Sequence, residues 1–151
     1  PFIFKQKMAR VKLLIPENKV AVLTIPVRIT DINYGNHVGN DAFVSIIHDA
    51  RMQWLQQFGY TELNIEGAGL ILADLAVEFK SEAFYGDTIE IIISVGEISK
   101  VSFELFYQLS VNRNNTPIVL AFAKTGMVCY DYTIKKIVTI PEKLKGILSK
   151  P

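Results

Sequence analysis

The residues of this chain whose types and spacing suit chemistry lie in one segment, residues 28–40, with the sequence RITDINYGNHVGN. A carboxylate, three amides and an imidazole occur close together there, at Asp31, Asn33, Asn36, His37 and Asn40. Two glycines, Gly35 and Gly39, allow the backbone to bend sharply between them. A strand pattern precedes the segment and a helical pattern follows it, so these side chains would lie beside the unpaired N–H groups of a helix N-terminus. Such a place suits the stabilisation of an oxyanion.

The composition indicates one globular domain and argues against several function classes. The 151 residues suit a single domain, and the net charge of +1 does not favour nucleic acid or an acidic membrane surface as a partner. The one cysteine, Cys129, excludes an intramolecular disulfide and a multi-cysteine metal site, and it fits a reducing compartment. No apolar run reaches the length of a membrane span, and the first eight residues lack the layout of a secretory leader. We therefore expect a cytoplasmic protein with no nucleic-acid or membrane partner.

Two elements must position the polar segment. Residues 20–30 alternate and predict a strand with one buried face, and Pro26 indicates an edge strand or a bulge. Its inward residues would be Ala21, Leu23, Ile25, Val27 and Ile29. Residues 40–58 change to helical spacing, with Asn40 or Asp41 as the cap and Gly59 as the end. The apolar stripe of this helix would contain Phe43, Ile47, Ala50, Trp54 and Phe58, and Val44, Ile46 and Leu55 would widen it.

Four more strands and a short helix follow the predicted helix. The strand patterns cover residues 70–80, 88–96, 102–112 and 118–131. In the first of them the inward residues would be Ile71, Ala73, Leu75, Val77 and Phe79, which places Asp74 on the opposite face. The last strand alternates little, so we expect it to be central in the sheet. From Pro141 onward a short helix would bring Leu144 and Leu148 to one side.

The order of these elements predicts the fold class. Closely spaced strands cannot be joined by parallel crossovers, so the strands must form an antiparallel meander. A curved antiparallel sheet that wraps around one long apolar helix satisfies the whole pattern. We therefore predict an α+β protein with the hotdog fold, as a single domain over residues 1–151 with its core at about residues 20–132.

The polar segment also resembles a family signature. Residues 31–40, DINYGNHVGN, resemble the D-x-D-x-x-G-H-V-N-N signature of hotdog acyl-CoA thioesterases of the 4-hydroxybenzoyl-CoA thioesterase type. Ala50 and Arg51 match the E-x-A-R ending of the family helix. Residues 84–87 resemble the family's G-D turn, and residues 123–131 resemble its last long strand. The resemblance implies hydrolysis of an acyl-CoA thioester to a free acid and CoA, with no metal and no cofactor beyond the CoA of the substrate.

The chain departs from the family pattern at the catalytic position. The family's catalytic Asp corresponds by residue count to Asn33, an amide that cannot act as a base or nucleophile. The acid of the family helix falls near His48 and Asp49, where only Asp49 keeps a carboxylate. We therefore take Asp49 as the candidate general base, with a solvated carboxylate beside Ser45 and Gln53 as the alternative.

The other candidate residues surround the place where a thioester carbonyl would bind. His37 would donate a hydrogen bond to the carbonyl or help to activate water near neutral pH, or serve only a structural role in the loop. Asn33 would orient the attacking water, or serve only in an Asx-turn. Asp31 would act as a base if the loop register is shifted, or brace the loop by pairing with Arg28. The backbone N–H groups near three residues would bind the substrate oxygen, or only begin the helix: Gly39, Asn40 and Asp41.

The resemblance also implies a homodimer or homotetramer with the active sites at a subunit interface, and acyl-CoA as the partner molecule. Aromatic, short-chain and long-chain acyl groups all fit the sequence. A non-catalytic acyl-CoA or acyl-carrier binding protein is the main alternative, because Asn33 replaces the catalytic carboxylate. A hydratase or dehydratase of acyl thioesters is the weakest alternative, because its different histidine motif is not found here.

Overall fold

The computed structural model describes residues 10–149, in which an antiparallel sheet packs against a helix. The strands are β1 (Lys19–Pro26), β2 (Gly69–Phe79), β3 (Thr88–Ile98), β4 (Ser102–Arg113), β5 (Thr116–Asp131) and β6 (Lys136–Ile137). The helices are α1 (Asn40–Gln56) and α2 (Glu142–Leu148), and a 3-10 turn at Ile29–Asp31 joins β1 to α1. The expectation about the first eight residues lies outside the described residues.

The sheet has the strand order β1-β3-β4-β5-β2, with every neighbouring pair antiparallel and β6 paired with the end of β5. The predicted antiparallel meander is confirmed, and β5 is an interior strand as expected. Pro26 ends β1, which lies at one edge of the sheet, and β2 lies at the other edge.

The core lies between α1 and the face of the sheet that α1 covers. Phe43, Ile47, Ala50 and Trp54 of the predicted helical stripe are buried, whereas Phe58 lies beyond the helix and is exposed. Inward residues of the strands complete the core and include Leu23, Ile25, Ile91, Ile93, Leu105, Leu109, Ala123 and Met127. In α2 both predicted residues, Leu144 and Leu148, are fully buried.

The start and end of α1 differ from the predicted caps. Gly39 occupies the N-cap position without any side-chain hydrogen bond, while Asn40 is already the first helical residue. The prediction that Asn40 or Asp41 caps the helix is therefore wrong, because the chain enters the helix one residue earlier. Gly59 follows the last turn with φ of +76°, where a residue without Cβ avoids strain.

Two strand predictions need correction. The chain leaves the sheet after Pro26, so Ile29 lies in the 3-10 turn and is exposed rather than inward. In β2 a bulge between Leu72 and Asp74 reverses the alternation. Before the bulge Leu70 faces the core, where Ile71 and Ala73 were expected, whereas Val77 after the bulge faces the core as predicted.

Asp74 and Cys129 lie on opposite faces of the sheet. Asp74 lies on the outer face as predicted, where its carboxylate binds Lys124 and the N–H of Gly126. Cys129 is fully buried on the inner face of β5, and burial raises the pKa of its thiol to about 11. None of the helices in residues 10–149 has the length and apolar character needed to cross a membrane.

Candidate functional site

The loop between β1 and α1 is braced by a buried carboxylate. Asp31 is 5% exposed and accepts hydrogen bonds from the Arg28 backbone N–H (2.8 Å) and from the Arg28 guanidinium (3.1 Å). Its backbone carbonyl accepts the N–H of Gly39 at 3.0 Å. Asp31 therefore holds both ends of the polar segment together, which is the bracing role that the sequence left open beside a role as base.

Asn33 forms an Asx-turn with the residues that follow it. Its Oδ1 accepts the N–H of Gly35 at 2.9 Å, and its backbone N–H donates to the carbonyl of His37 at 2.9 Å. Asn36 takes a left-handed conformation with φ of +67°, which asparagine tolerates better than most residues. The turn reverses the chain and returns His37 beside Asn33.

His37 has a defined ring orientation in this turn. Its Nδ1 lies 3.2 Å from the carbonyl oxygen of Val38. Because a carbonyl oxygen only accepts hydrogen bonds, Nδ1 carries the proton and a neutral ring keeps its lone pair on Nε2. That nitrogen lies 3.8 Å from the carboxylate of Glu82. Neutral His37 can thus accept a proton at Nε2, whereas donation from Nε2 requires the imidazolium.

The N-terminus of α1 lies directly behind this turn. The N–H of Gly39 is already bound to Asp31, and Phe43 makes the first helical hydrogen bond back to Gly39. The N–H groups of Asn40 and Asp41 have no acceptor among the described residues, as expected for the first turn of a helix. These two N–H groups, with the positive end of the helix dipole, are therefore available for an oxyanion.

A cleft of about 220 Å³ opens beside His37 and the start of α1. The loop and helix side of the cleft is formed by His37, Val38, Asn40 and Phe43, and the other side by Phe79, Lys80, Ser81 and Glu82. The rings of Phe43 and Phe79 meet edge to face, with their centroids 5.4 Å apart. The cleft thus combines two aromatic rings with an imidazole and free backbone donors.

The turn after β2 positions the far side of the cleft. The N–H of Val38 donates to the carbonyl of Ala83 at 2.8 Å, which ties the polar segment to this turn. Asp87 accepts hydrogen bonds from the N–H of Phe84 (2.8 Å) and from Arg113 (2.6 Å). Burial alone would raise the pKa of Asp87, but these hydrogen bonds outweigh it and lower the pKa. The G-D turn of the sequence is thus a structural support for the cleft.

Asp49 lies on the exposed face of α1, away from the cleft. Its Oδ1 accepts a hydrogen bond from Gln53 at 3.3 Å. Its charge also contributes to the raised pKa of Arg28, although the hydrogen bond that Arg28 donates to Asp31 is the main cause. At about 100° per residue, Asp49 lies on the opposite side of the helix axis from Asn40. Its role as a base remains a prediction.

The structure adds a second polar cluster that sequence patterns did not indicate. Arg51 is 4% exposed, and its guanidinium binds the carboxylate of Glu62 and the hydroxyl of Tyr107 (3.2 Å). Glu62 also binds Nε2 of His48 at 3.1 Å. Glu62 follows Arg51 by eleven residues in an irregular loop, so no periodicity connects the two; the only signal was the match of Arg51 to the family helix.

Another cleft, of about 300 Å³, lies on the outer face of the sheet. It contains Asp74, Glu104 and Lys124, in which the ammonium group binds both carboxylates. None of the residues predicted for the site contributes to this cleft, so it is separate from the candidate active site.

Comparisons with known proteins agree with the architecture. The sequence model of the thioesterase-like superfamily matches residues 27–148. The 1,4-dihydroxy-2-naphthoyl-CoA hydrolase of Microcystis aeruginosa is 32% identical over 108 residues, which are 68% of this chain and 73% of that protein.

Solved structures show the same fold. A 1,4-dihydroxy-2-naphthoyl-CoA thioesterase from Synechocystis matches with a TM-score of 0.74 and 22% identity, over 84% of this chain and 93% of that chain. A 4-hydroxybenzoyl-CoA thioesterase variant, with one aspartate replaced by asparagine and 4-hydroxybenzoyl-CoA bound, matches with a TM-score of 0.76 and 15% identity, over 85% and 98% of the two chains. The predicted hotdog fold is confirmed at the level of a curved antiparallel sheet with a helix. The chain therefore belongs to the thioesterase-like superfamily.

Proposed function

We propose that this protein hydrolyses an acyl-CoA thioester to a free carboxylic acid and CoA. The observation that carries the proposal is the cleft in which His37 lies beside the free N–H groups at the start of α1. This arrangement occurs at the position of the family signature, in a chain whose relatives are thioester hydrolases. Because these relatives are named for hydroxylated aromatic acyl groups and two aromatic rings line the cleft, an aromatic acyl-CoA is the first substrate to test.

In the proposed mechanism the carbonyl oxygen of the thioester binds at the helix N-terminus. The N–H groups of Asn40 and Asp41 stabilise the negative charge that develops when water attacks. Gly39 lets the backbone pass close to the side chain of Asp41, because a Cβ at position 39 would lie 2.7 Å from Oδ1 of Asp41. Asn33 orients the water, and His37 polarises the carbonyl or assists in proton transfer. Asp31 braces the loop.

The mechanism also needs a general base that takes the proton from the attacking water. Asp49, alone or with His37, is the assignment from the sequence. Asp49→Ala tests it, because removal of a general base lowers kcat by about 100-fold or more. Near-normal turnover of this variant would exclude Asp49 as the base.

The proposal includes a homodimer or homotetramer located in the cytoplasm. Strand β2 is a free edge, and Leu72 and Leu75 on it are 43% and 37% exposed. Pairing of this edge with its copy would cover both leucines and extend the sheet. In that assembly we propose that the sheet wraps α1 as the central helix of the hotdog fold.

The test is the release of free thiol from a panel of aromatic, short-chain and long-chain acyl-CoAs. Turnover of at least one substrate, lowered when His37 is changed to Gln, would support the proposal. Wild-type protein that releases no thiol from any substrate would contradict it.

A second candidate, an acyl-CoA binding protein, is favoured by one observation. Asn33 stands where the family pattern has its catalytic carboxylate, and the 4-hydroxybenzoyl-CoA thioesterase structure with an Asp-to-Asn change contains bound 4-hydroxybenzoyl-CoA. A binding protein would be stabilised against heat by acyl-CoA and would release no thiol. The same panel therefore separates the two functions.

A further inference from the structure

A histidine, a glutamate and a buried arginine form a continuous chain of contacts that runs from the surface of α1 into the core. His48 Nε2 lies 3.1 Å from Oε2 of Glu62, and Oε1 of the same carboxylate accepts a hydrogen bond from Nε of Arg51. One carboxylate thus joins an exposed imidazole to a buried guanidinium. This is the arrangement in which a base is oriented by a second group that is itself held in place.

The inner end of this chain is rigidly held. The Arg51 side chain is 5% exposed, and its Nη1 donates to the hydroxyl of Tyr107, which is bound in turn to Thr125 at 2.8 Å. Burial alone would lower the pKa of Arg51, but Tyr107 and Glu62 together raise it, so the guanidinium stays charged. The backbone carbonyl of Glu62 accepts the N–H of Leu70 at 2.7 Å, which fixes the loop to the start of β2. Glu62 is therefore fixed from two sides.

The outer end of the chain is open to solvent. The His48 side chain is 56% exposed, and its Nδ1 makes no hydrogen bond within residues 10–149. If Nε2 donates its proton to Glu62, the lone pair of Nδ1 is free to accept a proton from water. Glu62 is the charged group in contact with the ring, and Asp49 is its neighbour along the helix.

His48 also lies on the same helical face as the proposed oxyanion site. It follows Asp41 by seven residues, which is almost two full turns, so the two positions differ by only about 20° around the axis. The axial separation is roughly 10 Å, and side chains in a helix lean toward its N-terminus. His48 and the free N–H of Asp41 therefore lie on one face of α1.

We infer that His48, oriented by Glu62 and anchored through Arg51, is the general base of the proposed thioester hydrolysis. Nδ1 of His48 takes one proton from water as the water oxygen bonds to the thioester carbonyl carbon. When the tetrahedral intermediate collapses, the carbon–sulfur bond breaks and the CoA sulfur leaves with the electron pair. The imidazolium then returns its proton to the sulfur, which gives the carboxylic acid and CoA. Arg51 and Glu62 are positioning residues.

This inference rests on the proposed function and differs from the sequence assignment of Asp49. Asp49 is about 100° further round the helix than His48. Its hydrogen-bond donor is the side-chain amide of Gln53, at 3.3 Å, whereas His48 is held by a carboxylate that is itself bound to a buried arginine. His48 supplies a proton acceptor in a site where Asn33, an amide, cannot act as a base.

The experiment uses the full chain and the acyl-CoA with the highest wild-type turnover. We expect His48→Gln, whose amide can still donate to Glu62, to lower kcat by at least about 100-fold with KM within about threefold. The limb of the pH profile that rises as a base loses its proton should disappear. Glu62→Gln should lower kcat by about tenfold through misorientation of the ring. Gln56→Ala, at an exposed position on the same helix, is the matched control and should retain kcat within about fivefold.

Chemical rescue gives a second readout that a structural role would not change. Added imidazole should restore part of the activity of His48→Ala and none of that of Glu62→Gln. A His48→Gln variant with at least a third of the wild-type kcat and an unchanged pH profile would overturn the inference and leave the proposed function intact. Wild-type protein without any thiol release would overturn both.

Discussion

At the scale of single residues, most polar groups of the loop are already engaged with one another. Asp31 is bound to Arg28 and Gly39, and the side-chain oxygen of Asn33 is bound to the N–H of Gly35. The groups left to meet a substrate include the amide nitrogen of Asn33, Nε2 of His37 and the first N–H groups of α1. The loop of residues 28–40 is therefore a rigid hydrogen-bonded frame, and only a few of its atoms are free to contact a substrate.

The glycine at the tip of this frame provides a residue-scale prediction. A Cβ on Gly35 would lie 2.9 Å from Nε2 of His37 and 3.2 Å from Oδ1 of Asn33, so Gly35→Ala must displace the His37 ring. We expect kcat to fall by about tenfold while the free energy of unfolding changes by less than about 1 kcal/mol. Steady-state kinetics and denaturant unfolding measure the two quantities.

The matched control is Gly146→Ala in α2, where a Cβ would meet no atom within 4 Å. This variant should keep wild-type kinetics and gain up to about 1 kcal/mol, because alanine favours helix. If Gly35→Ala and Gly146→Ala changed kcat equally, Gly35 would have no specific role in positioning His37.

At the scale of elements, a buried polar connection joins α1 to the middle of the sheet. Arg51 projects from α1 to the hydroxyl of Tyr107 on β4, which is bound to Thr125 on β5. Burial raises the pKa of Tyr107, so the phenol remains neutral and can donate to Thr125 while accepting from Arg51. The helix is thus fixed in both position and rotation, which apolar packing alone does not ensure.

Removal of the Tyr107 hydroxyl tests this connection. Tyr107→Phe leaves partners on Arg51 and Thr125 unpaired in the core, and we expect the free energy of unfolding to fall by about 1–3 kcal/mol. Urea unfolding followed by circular dichroism measures it. Tyr34→Phe, at a fully exposed position, is the control and should change stability by less than about 0.5 kcal/mol. A loss no larger than that of the control would show that the hydroxyl is dispensable.

At the scale of the whole molecule, the two edges of the sheet differ in character. On β2, Leu72 and Leu75 are half-exposed on the core-facing side, whereas β1 ends in Pro26, which cannot donate to a further strand. Edge strands with exposed apolar side chains readily pair with other strands. The β2 edge is therefore where we expect a second copy to bind.

Leu75→Lys tests this assembly. A lysine in an apolar interface loses hydration without gaining a partner, so we expect the dimer dissociation constant to rise by at least about 100-fold. Sedimentation velocity should then show monomers with strongly reduced thiol release. Val22→Lys on the β1 edge, where the side chain is already 58% exposed, should remain a dimer. A Leu75→Lys protein that sediments like the wild type would exclude this interface.

The sequence predicted the elements well because their signals are local. Alternation and helical periodicity located five strands and two helices within a few residues, and the exposed position of Asp74 followed from the same alternation. The bulge in β2 was missed because a single extra residue reverses the alternation without changing the residue types. Ile29 was misplaced for a similar reason, since alternation continues past Pro26 although the hydrogen-bonded strand does not.

The candidate site was predictable only in part. The sequence predicted the pairing of Asp31 with Arg28 as one of two alternatives for Asp31. This pairing could be predicted because residues three apart in a tight turn lie next to each other. Glu82 lies near His37, and Glu62 binds His48. Both glutamates belong to loops distant in sequence from these histidines, and no spacing rule connects such positions. The roles of Asn33, His37 and Asp49 in catalysis, and of the N–H groups near Gly39, remain predictions.

The burial of Cys129 means that thiol reagents can be used to follow the release of CoA. It is the only cysteine of the chain, its side chain has no solvent-accessible surface, and its pKa of about 11 leaves very little thiolate at neutral pH. Reagents that detect CoA by disulfide exchange should therefore react with the product and leave the folded enzyme unmodified. The rate of colour formation can then be read as turnover, and a slow background without substrate would report unfolding of the sheet around β5.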